Sequence, residues 1–307
     1  MTKVVDLFAG IGGTSFGAEA AGCHVVLAAN HWDVAVAFHR RNHPKSLHVC
    51  QDLQQYDFTQ LPRHDGLLAS PCCQGHSVAR GKAHGNPQHD ASRATAWAVI
   101  SALEAGRARW GVVENVPEFL DWVLYPSWLD ALHRLGYQFS PHVVDAADLG
   151  VPQNRERMFG VITRSKAPLT LDLPKYEHRG AESFIDFSRG NWSPIHKLGR
   201  SEATLRRVAN GRRQFGERFV MPYYGSGSGL TGRCLSRPIG TITTRARWAV
   251  VDGDRMRMLT VPENVAAMTF PKDVILPSSG KDAIHLLGNA VPPLAAQRVI
   301  EAVMKAA

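Results

Sequence analysis

The chain has 307 residues, of which 44% are hydrophobic and 20% are charged; this is ordinary for a globular protein with a substantial core. No apolar run approaches the roughly 20 residues that a membrane-spanning helix needs. Because a strand pattern begins at the first residues, we expect no signal peptide and a cytoplasmic location. The 35 basic residues exceed the 27 acidic ones, and the resulting charge of +8 favours a polyanionic partner.

Strand and helix patterns alternate through the first half of the chain. Strand patterns cover residues 3–8, 24–29, 65–69, 109–114, 137–145 and 158–163. Helical patterns cover residues 13–21, 33–41 and 91–105, with Asp33 as the predicted cap of the second helix. A long polar loop runs from Ser70 to about His89. This alternation predicts an α/β fold, with a doubly wound, mostly parallel sheet that is covered on both faces.

The second half of the chain has a different character. Residues 175–233 contain eleven basic and five acidic side chains, and the regular periodicity weakens there. The glycine-serine run at residues 225–229 predicts a loop. Helical patterning returns over residues 283–304, which we expect to pack back on the first domain. We therefore predict domains at residues 1–163 and 164–250, with a returning segment at 251–307.

The cysteine content limits the kinds of site that the chain can hold. Five cysteines occur, an odd number with no CxxC pair, which argues against a disulfide framework and against a metal site. Cys72 and Cys73 are adjacent and point in opposite directions on an extended backbone, so at most one of them enters a cleft. We expect the other three to be small buried residues: Cys23, Cys50 and Cys234.

Polar or glycine-rich segments follow several predicted strands directly. The glycine-rich turn at residues 8–13 follows the first strand, Cys72 and Cys73 follow the strand at 65–69, and Glu114 ends the strand at 109–114. In a doubly wound sheet such loops open on one edge, where a ligand binds. The turn alone carries little weight, because its spacing is not GxGxxG and a plain tight turn explains it equally well.

Six short motifs occur along the chain, at residues 6–13 (DLFAGIGG), 73–77 (CQGHS), 114–116 (ENV), 153–157 (QNRER), 259–263 (LTVPE) and 288–292 (GNAVP). Taken together, these motifs resemble those of the DNA (cytosine-5)-methyltransferases of bacterial and phage type. The matches occur in the family's order and span nearly the whole chain. The catalytic loop at 73–77 and the QxRxR motif at 153–157 are the most specific of them.

The resemblance implies a Rossmann-like methyltransferase fold that uses S-adenosylmethionine, with a smaller, irregular target-recognition domain in the basic second region. The implied catalytic residues are Cys73, Glu114, Arg155 and Arg157. The implied cofactor-binding residues are Asp6, Phe8, Ala9, Gly10, Ile11, Gly12, Gly13, His31, Trp32, Asp52, Leu53, Asn289 and Ala290. The implied DNA-binding residues are Gln74, Ser77, Arg80, Lys82, Asn115 and Gln153.

The implied reaction is methylation of carbon 5 of a cytosine that is flipped out of duplex DNA. A thiolate that adds to carbon 6 makes carbon 5 nucleophilic, and Glu114 is the candidate to act at ring nitrogen 3. Arg155 and Arg157 alternate on a strand-like stretch, so we expect both guanidinium groups to face one side and to hold the base or phosphates. The loop at residues 75–89 is placed to close over the base.

Three positions depart from the family pattern. Cys72 stands where the family carries proline, His76 where it carries phenylalanine, and His31 where a glutamate commonly binds the cofactor ribose. The alignment favours Cys73 as nucleophile, with Cys72 as the alternative. With His31→Glu, we expect tighter cofactor binding in a titration, and an unchanged affinity would contradict a role for His31.

Several alternatives remain open at this stage. Trp32 is either a stacking partner for adenine or a core aromatic; Asp52 contacts the adenine or caps a turn; Asn289 binds the cofactor or organises a turn. A relative that methylates cytosine in RNA, or an inactive DNA-binding protein, would share much of the pattern. We expect a monomer, and a companion restriction enzyme is compatible with the resemblance.

Overall fold

The structure is a computed structural model that describes residues 1–72, 94–223 and 231–306. Two compact units divide the chain. The first unit comprises Met1–Asp145, Glu156–Pro174 and Ala290–Ala307, and the second comprises Ala146–Arg155 and Lys175–Asn289.

A mostly parallel sheet forms the centre of the first unit. In the described chain it has seven strands in the order β3-β2-β1-β4-β5-β7-β6. The five strands β3, β2, β1, β4 and β5 run parallel to one another, while β7 is antiparallel to both of its neighbours, β5 and β6. The strands are β1 (Lys3–Leu7), β2 (His24–Asn30), β3 (Leu47–Cys50), β4 (Gly66–Ala69), β5 (Trp110–Asn115), β6 (Gln138–Asp145) and β7 (Glu156–Thr163). The predicted doubly wound α/β sheet is confirmed.

The described residues form helices in both units. They are α1 (Gly13–Ala20), α2 (Asp33–Asn42), α3 (Trp97–Gly106), α4 (Tyr125–Arg134), α5 (Glu202–Phe215), α6 (Val261–Ala267), α7 (Gly280–Asn289) and α8 (Pro293–Ala306). Of these, α1 to α4 and α8 belong to the first unit. Apolar side chains of β1, β4 and α3, such as Leu7, Leu67 and Leu103, are fully buried between these layers.

The second helix starts at Asp33, as predicted, but its cap differs. Trp32, and not Asp33, is the N-cap of α2, and it makes no side-chain cap; Asp33 Oδ1 accepts from the N–H of Val34 at 2.8 Å. The described part of the third predicted helix is α3, from Trp97; the predicted start at residue 91 lies outside the described residues. Thr95, just before α3, accepts from the Cys72 N–H at 3.0 Å, which ties this segment to the loop after β4.

The C-terminal helix belongs to the first unit. α8 contacts α1 at Gly17, where an added Cβ would lie 2.6 Å from Ala296 Cβ. The absence of a side chain at Gly17 therefore allows the two helices to approach closely. The C-terminal segment that belongs to the first unit begins at Ala290, whereas the expected segment begins at residue 251.

A smaller antiparallel sheet forms the centre of the second unit. Its order in the described chain is β8-β11-β10-β9, with β8 (Ser193–Pro194), β9 (Arg218–Pro222), β10 (Trp248–Asp252) and β11 (Arg255–Met258). Phe219 and Val251 are fully buried on it. Because β10 pairs with β9 and with β11, residues after 251 continue this sheet, which explains why the unit extends beyond the expected boundary.

A buried ion pair fixes the polypeptide around α6. Both Nη atoms of Arg257 lie 2.7 Å from the carboxylate oxygens of Glu263. The same carboxylate accepts from the N–H groups of Thr260 and Asp186 at 2.7 and 3.0 Å. Thr260 and Glu263 thereby form a capping box at the start of α6, and buried charges of this kind need all of these partners.

The cysteines follow the expectation only in part. Cys23 is buried, whereas Cys50 is exposed and Cys234 is partly exposed. Cys50 ends the edge strand β3, where a side chain meets solvent. Among the described residues, no helix is both long and apolar enough to cross a membrane.

Candidate active site

The candidate site lies at the topological switch point of the large sheet, where successive strand connections change direction. β1 has β2 on one side and β4 on the other, so the connections leave β1 and β4 in opposite directions along the sheet. Leu7 pairs with Ala69 at the ends of these strands, and the Ser70 N–H donates to Leu7 O at 3.1 Å. The glycine-rich turn and the loop toward Cys72 therefore start side by side, at the place where ligands bind in such sheets.

The glycine-rich turn is shaped by left-handed backbone. Phe8, Gly10 and Gly12 have φ values of 59°, 56° and 96°. A side chain at Gly10 would meet nothing within 4 Å, so the backbone there faces open space that a ligand can approach. Gly12 is the N-cap of α1, and a helix N-terminus favours polar or anionic ligand groups.

A cluster of polar side chains lies beneath this turn; we call Asp6, Ser15, His39 and His43 the polar floor. A Cβ at Gly12 would lie 2.6 Å from His43 Nε2, so only glycine fits above that ring. Ser15 Oγ donates to the buried Asp6 Oδ2 at 2.6 Å and lies 3.1 Å from His39 Nε2. Burial raises the pKa of Asp6 to about 7, although Ser15 and His43 oppose the shift. Asp6 therefore lies under the turn and not on its open side.

Sequence reasoning missed this polar floor. The signal was present, because His39 and His43 are four residues apart on one face of α2. A further histidine, His48, stands in the short strand β3, and its Nε2 lies 2.9 Å from His39 Nδ1.

Residues after β2 and β3 border the same edge of the sheet. His31 is exposed and Trp32 is partly buried; the Trp32 N–H donates to Asn30 Oδ1 at 2.9 Å. Asp52 Oδ1 accepts from the Gln54 N–H at 3.0 Å, so Asp52 does cap a turn, while its side chain remains exposed. Leu53 is buried.

Glu114 and Arg157 meet at the end of β5. Arg157 Nε lies 3.2 Å from Glu114 Oε1, and the side chains are only 16% and 13% exposed. Glu114 pairs with Phe159 across the antiparallel β5 and β7 strands, which brings the start of β7 next to the carboxylate. Because so little of this pair is exposed to water, the attraction between its two charges is stronger than that of a pair at the surface.

Asn115 ties the same strand to the loop after β4. Its Nδ2 donates to Pro71 O at 3.2 Å, and its Oδ1 accepts from the Val116 N–H at 2.9 Å. Asn115 is buried, so in the structure it holds the backbone next to Cys72. Cys72 itself is a free, partly exposed cysteine.

Several predicted site residues lie outside the described residues. These are Cys73, Gln74, Ser77, Arg80 and Lys82, and the predicted closing loop at residues 75–89 lies there as well, as does His76.

Arg155 and Gln153 have partners inside the second unit. Arg155 donates to the carbonyls of Ile242 and Gly288 at 3.0 and 3.2 Å and is buried. Gln153 accepts from the Ile242 N–H at 2.7 Å. Arg155 immediately precedes β7, which starts at Glu156, and belongs to the second unit, whereas Arg157 belongs to the first. Asn289 is exposed at the end of α7, and Ala290 is buried.

Comparison with known proteins decides the family. The family described as C-5 cytosine-specific DNA methylase matches residues 2–191 and 196–305. The chain belongs to this family. It is therefore a DNA cytosine-5 methyltransferase, as its motifs predicted.

Curated relatives of this methyltransferase cover nearly its whole length. It is 27% identical to the Type II methyltransferase M1.HphI of Haemophilus parahaemolyticus, over 98% of this chain and 86% of that protein. It is 25% identical to the Type II methyltransferase M.HindV of Haemophilus influenzae, over 98% and 96%.

Solved structures share the fold of this methyltransferase. A DNA modification methyltransferase encoded within a prophage of E. coli superposes with a TM-score of 0.71 at 20% identity, over 100% of this chain and 99% of the other. A mutant of Spodoptera frugiperda DNMT2 superposes with a TM-score of 0.70 at 17% identity, over 99% and 100%.

Proposed function

We propose that the chain transfers a methyl group from S-adenosylmethionine to carbon 5 of a flipped-out cytosine in duplex DNA, through a covalent adduct of Cys73 at carbon 6. The single observation that carries this proposal is the arrangement at the switch point of the sheet. The glycine-rich turn, the start of the cysteine loop and the Glu114–Arg157 pair all stand at that edge, in a chain of the cytosine-5 methylase family.

The residues around the turn fit S-adenosylmethionine. Open space over Gly10 admits the cofactor to the backbone between Phe8 and Gly13. Trp32 offers an aromatic face for the adenine, and the exposed His31 can accept or donate one hydrogen bond to the ribose. We assign Ala9, Ile11, Asp52, Leu53, Asn289 and Ala290 to the same site. When bound, the cofactor supplies an electrophilic methyl group on a sulfonium.

The chemistry of the base falls to the remaining residues. The Cys73 thiolate forms a bond to carbon 6, and the electron pair of the C5–C6 double bond moves toward nitrogen 3, where Glu114 provides the hydrogen bond or proton. Arg157 holds the Glu114 carboxyl in place through its 3.2 Å contact. After carbon 5 has been methylated, loss of its proton restores the double bond and expels the thiolate.

Arg155 has a different role in this proposal. Its Nη1 and Nη2 groups donate to the carbonyls of Ile242 and Gly288, so it positions the segments that carry these residues. Gln153 acts in the same way through Ile242. Both support the second unit, to which we assign recognition of the DNA target.

The DNA partner is supported by charge as well as by family. Exposed basic side chains of the second unit, such as Arg206 and Arg213 on α5, suit phosphate contacts. Because the relatives are Type II methyltransferases, we propose that the chain modifies a short DNA site, and that a restriction enzyme for that site accompanies it.

Product analysis tests this proposal. The purified protein is incubated with methyl-labelled S-adenosylmethionine and, in parallel, duplex DNA of mixed sequence or transfer RNA; the nucleosides are then separated by chromatography and mass spectrometry. We expect label in 5-methyl-2′-deoxycytidine from the DNA. Label in RNA alone would support the RNA-methylating alternative, and DNA binding without label in either polymer would support an inactive binding protein.

A further inference from the structure

A chain of hydrogen bonds leads from beneath the glycine-rich turn to the surface of β3. Asp6 Oδ2 lies 2.6 Å from Ser15 Oγ, Ser15 Oγ lies 3.1 Å from His39 Nε2, and His39 Nδ1 lies 2.9 Å from His48 Nε2. Asp6, Ser15 and His39 are buried, whereas His48 is partly exposed. The chain thus connects a buried carboxyl with solvent.

We propose that Asp6, Ser15, His39 and His48 form a reversible hydrogen-bond chain whose direction reports the charge of Asp6, and that a cationic cofactor at the turn selects the ionised form. The cofactor part of this inference rests on the proposed use of S-adenosylmethionine. Its sulfonium makes that cofactor a cation at the reacting centre, whereas the thioether product carries no charge there. Ser15, His39 and His48 act through Asp6 and are positioning residues.

The donors and acceptors allow two arrangements of the chain. An ionised carboxylate only accepts. Ser15 then donates to Asp6 and accepts from His39 Nε2–H, while His39 Nδ1 accepts from His48 Nε2–H. When Asp6 carries a proton on Oδ2, every bond reverses: Asp6 donates to Ser15, Ser15 donates to His39 Nε2, and His39 Nδ1–H donates to His48 Nε2.

The environment of Asp6 favours protonation on Oδ2. Oδ1 is buried and has no hydrogen-bond partner among the described residues, so a proton on Oδ1 would be an unsatisfied buried donor, which is costly. A proton on Oδ2 instead donates to Ser15 at 2.6 Å. When Asp6 loses this proton, one proton moves along each hydrogen bond toward His48, and His48 Nδ1 releases one proton to solvent. Every hydrogen bond of the chain is then reversed.

His39 carries a single ring proton in both arrangements. Burial, together with the nearby His43 and His48, lowers the pKa of His39 to about 2. The imidazole therefore stays neutral and responds to Asp6 by exchanging tautomers. The ionisation of Asp6 falls near neutrality, because burial raises its pKa to about 7.

Other titratable groups also face this chain. His43 packs against His39, with ring centroids 4.5 Å apart, and its Nδ1 lies 3.0 Å from Glu19 Oε1 on α1. Burial lowers the pKa of His48, and Arg40 on α2 lowers it further. The strand residues paired with Asp6 are Ala28 and Leu68, which carry no charge. The titration near neutrality is therefore assigned to Asp6.

Nitrogen NMR of the histidine rings tests the proposal without any assay of activity. Long-range proton–nitrogen correlations show which ring nitrogen carries the proton. In the free protein we expect His39 to change from Nδ1–H below about pH 6 to Nε2–H above about pH 8. His64 is the internal control: its Nδ1 lies 2.7 Å from Pro62 O, and because a carbonyl only accepts, Nδ1 must keep its proton throughout.

Two variants decide whether Asp6 is the cause. In Asp6→Asn and in Ser15→Ala, we expect one His39 tautomer over the whole pH range. Ser15→Ala is the milder change and covers the case in which Asp6→Asn fails to fold. A single tautomer in the wild type, or a switch that persists in either variant, would overturn the proposal.

Calorimetry tests the link to the cofactor. Heats of S-adenosylmethionine binding in two buffers of different ionisation enthalpy give the number of protons released. Below about pH 7 we expect S-adenosylmethionine binding to release close to one proton, and its affinity to rise by up to about tenfold per pH unit. Both effects should be smaller for S-adenosylhomocysteine and absent in Asp6→Asn, which has no carboxyl to ionise. Binding without proton release would overturn this link, whereas a failure of both compounds to bind would overturn the proposed cofactor and leave the tautomer result standing.

Discussion

Glu114 and Arg157 illustrate how single residues set the chemistry of this protein. Their side chains pair at 3.2 Å with little exposure, so each charge depends on the other. In the proposed reaction, a carboxyl held in this way keeps one orientation toward the base. A conservative change can separate this proposed role of Glu114 from its part in the folded structure.

Glu114→Gln keeps the shape of the side chain and removes its charge. We expect the rate of methyl transfer to fall by ~10²–10⁴-fold, because a positioned proton donor contributes about that much. Cofactor affinity, measured by calorimetry, should stay unchanged. Glu156→Gln is the control, since Glu156 is an exposed carboxylate one residue before Arg157. A Glu114→Gln protein with the wild-type rate would rule out the assigned role.

At the scale of elements, the sequence predicted the strand-turn-helix order of the first unit well. Hydrophobic runs and glycine positions specify β1, its turn and α1 locally, and no distant contact is needed to place them. The hydrogen bond between Thr95 Oγ1 and the Cys72 N–H joins residues 23 positions apart, and no local pattern contains it. The positions of Arg155 and of the Asp6–His48 chain likewise depend on residues far apart in sequence.

The contact between α1 and α8 makes a prediction about packing. In Gly17→Ala the new Cβ would lie 2.6 Å from Ala296 Cβ and 2.7 Å from Pro293 O. We expect the clash to outweigh the better helix propensity of alanine and to reduce the free energy of unfolding by about 1–3 kcal/mol, as measured by urea denaturation. In the control Gly280→Ala, the nearest atom is Val261 Cγ2 at 3.8 Å, and we expect no loss. Equal stability of the two variants would refute the packing argument.

The ion pair at the start of α6 makes a second prediction. Glu263→Ala leaves Arg257 buried without its carboxylate, and we expect a loss of about 3–5 kcal/mol in urea denaturation. The control is Glu217→Ala, since Glu217 is 68% exposed beside Arg212 and such pairs contribute about 0–1 kcal/mol.

Burial tends to raise the pKa of Glu263, but hydrogen bonds from Arg257 and Thr260 outweigh this effect and lower the pKa. The stability supplied by this pair is therefore lost only as the pH falls through the acidic range; an equally small loss in both variants would contradict the assignment.

At the scale of the whole molecule, we propose that the two units have different tasks. The first unit holds the glycine-rich turn, the start of the loop toward Cys72 and the Glu114–Arg157 pair, and we assign DNA recognition to the basic second unit. The family and the fold class could be predicted from the sequence, because the motifs are short and ordered. The boundary at Ala290 could not, because it depends on which sheet residues 251–258 join.

The stability of the whole fold should depend on pH through Asp6. Burial raises the pKa of Asp6 to about 7, above its value of ~3.9 in an unfolded chain. The folded state therefore holds this proton more tightly, so its contribution to stability is full below about pH 4 and is lost as the pH rises to about 7. We expect Asp6→Asn to gain stability relative to the wild type as the pH rises from about 4 to about 7, with no further gain above about 7, in urea denaturation. Parallel pH profiles would show that Asp6 does not titrate in this range.

The assignment of Cys73 as nucleophile is tested most directly by trapping on duplex DNA that carries 5-fluorocytosine, with S-adenosylmethionine present. Fluorine at carbon 5 is not lost as a proton would be, so the adduct at carbon 6 should persist. We expect a denaturation-resistant protein–DNA band for the wild type and for Cys72→Ala, and no such band for Cys73→Ala. A band with Cys73→Ala that is absent with Cys72→Ala, or no band with any of the three proteins, would contradict the account.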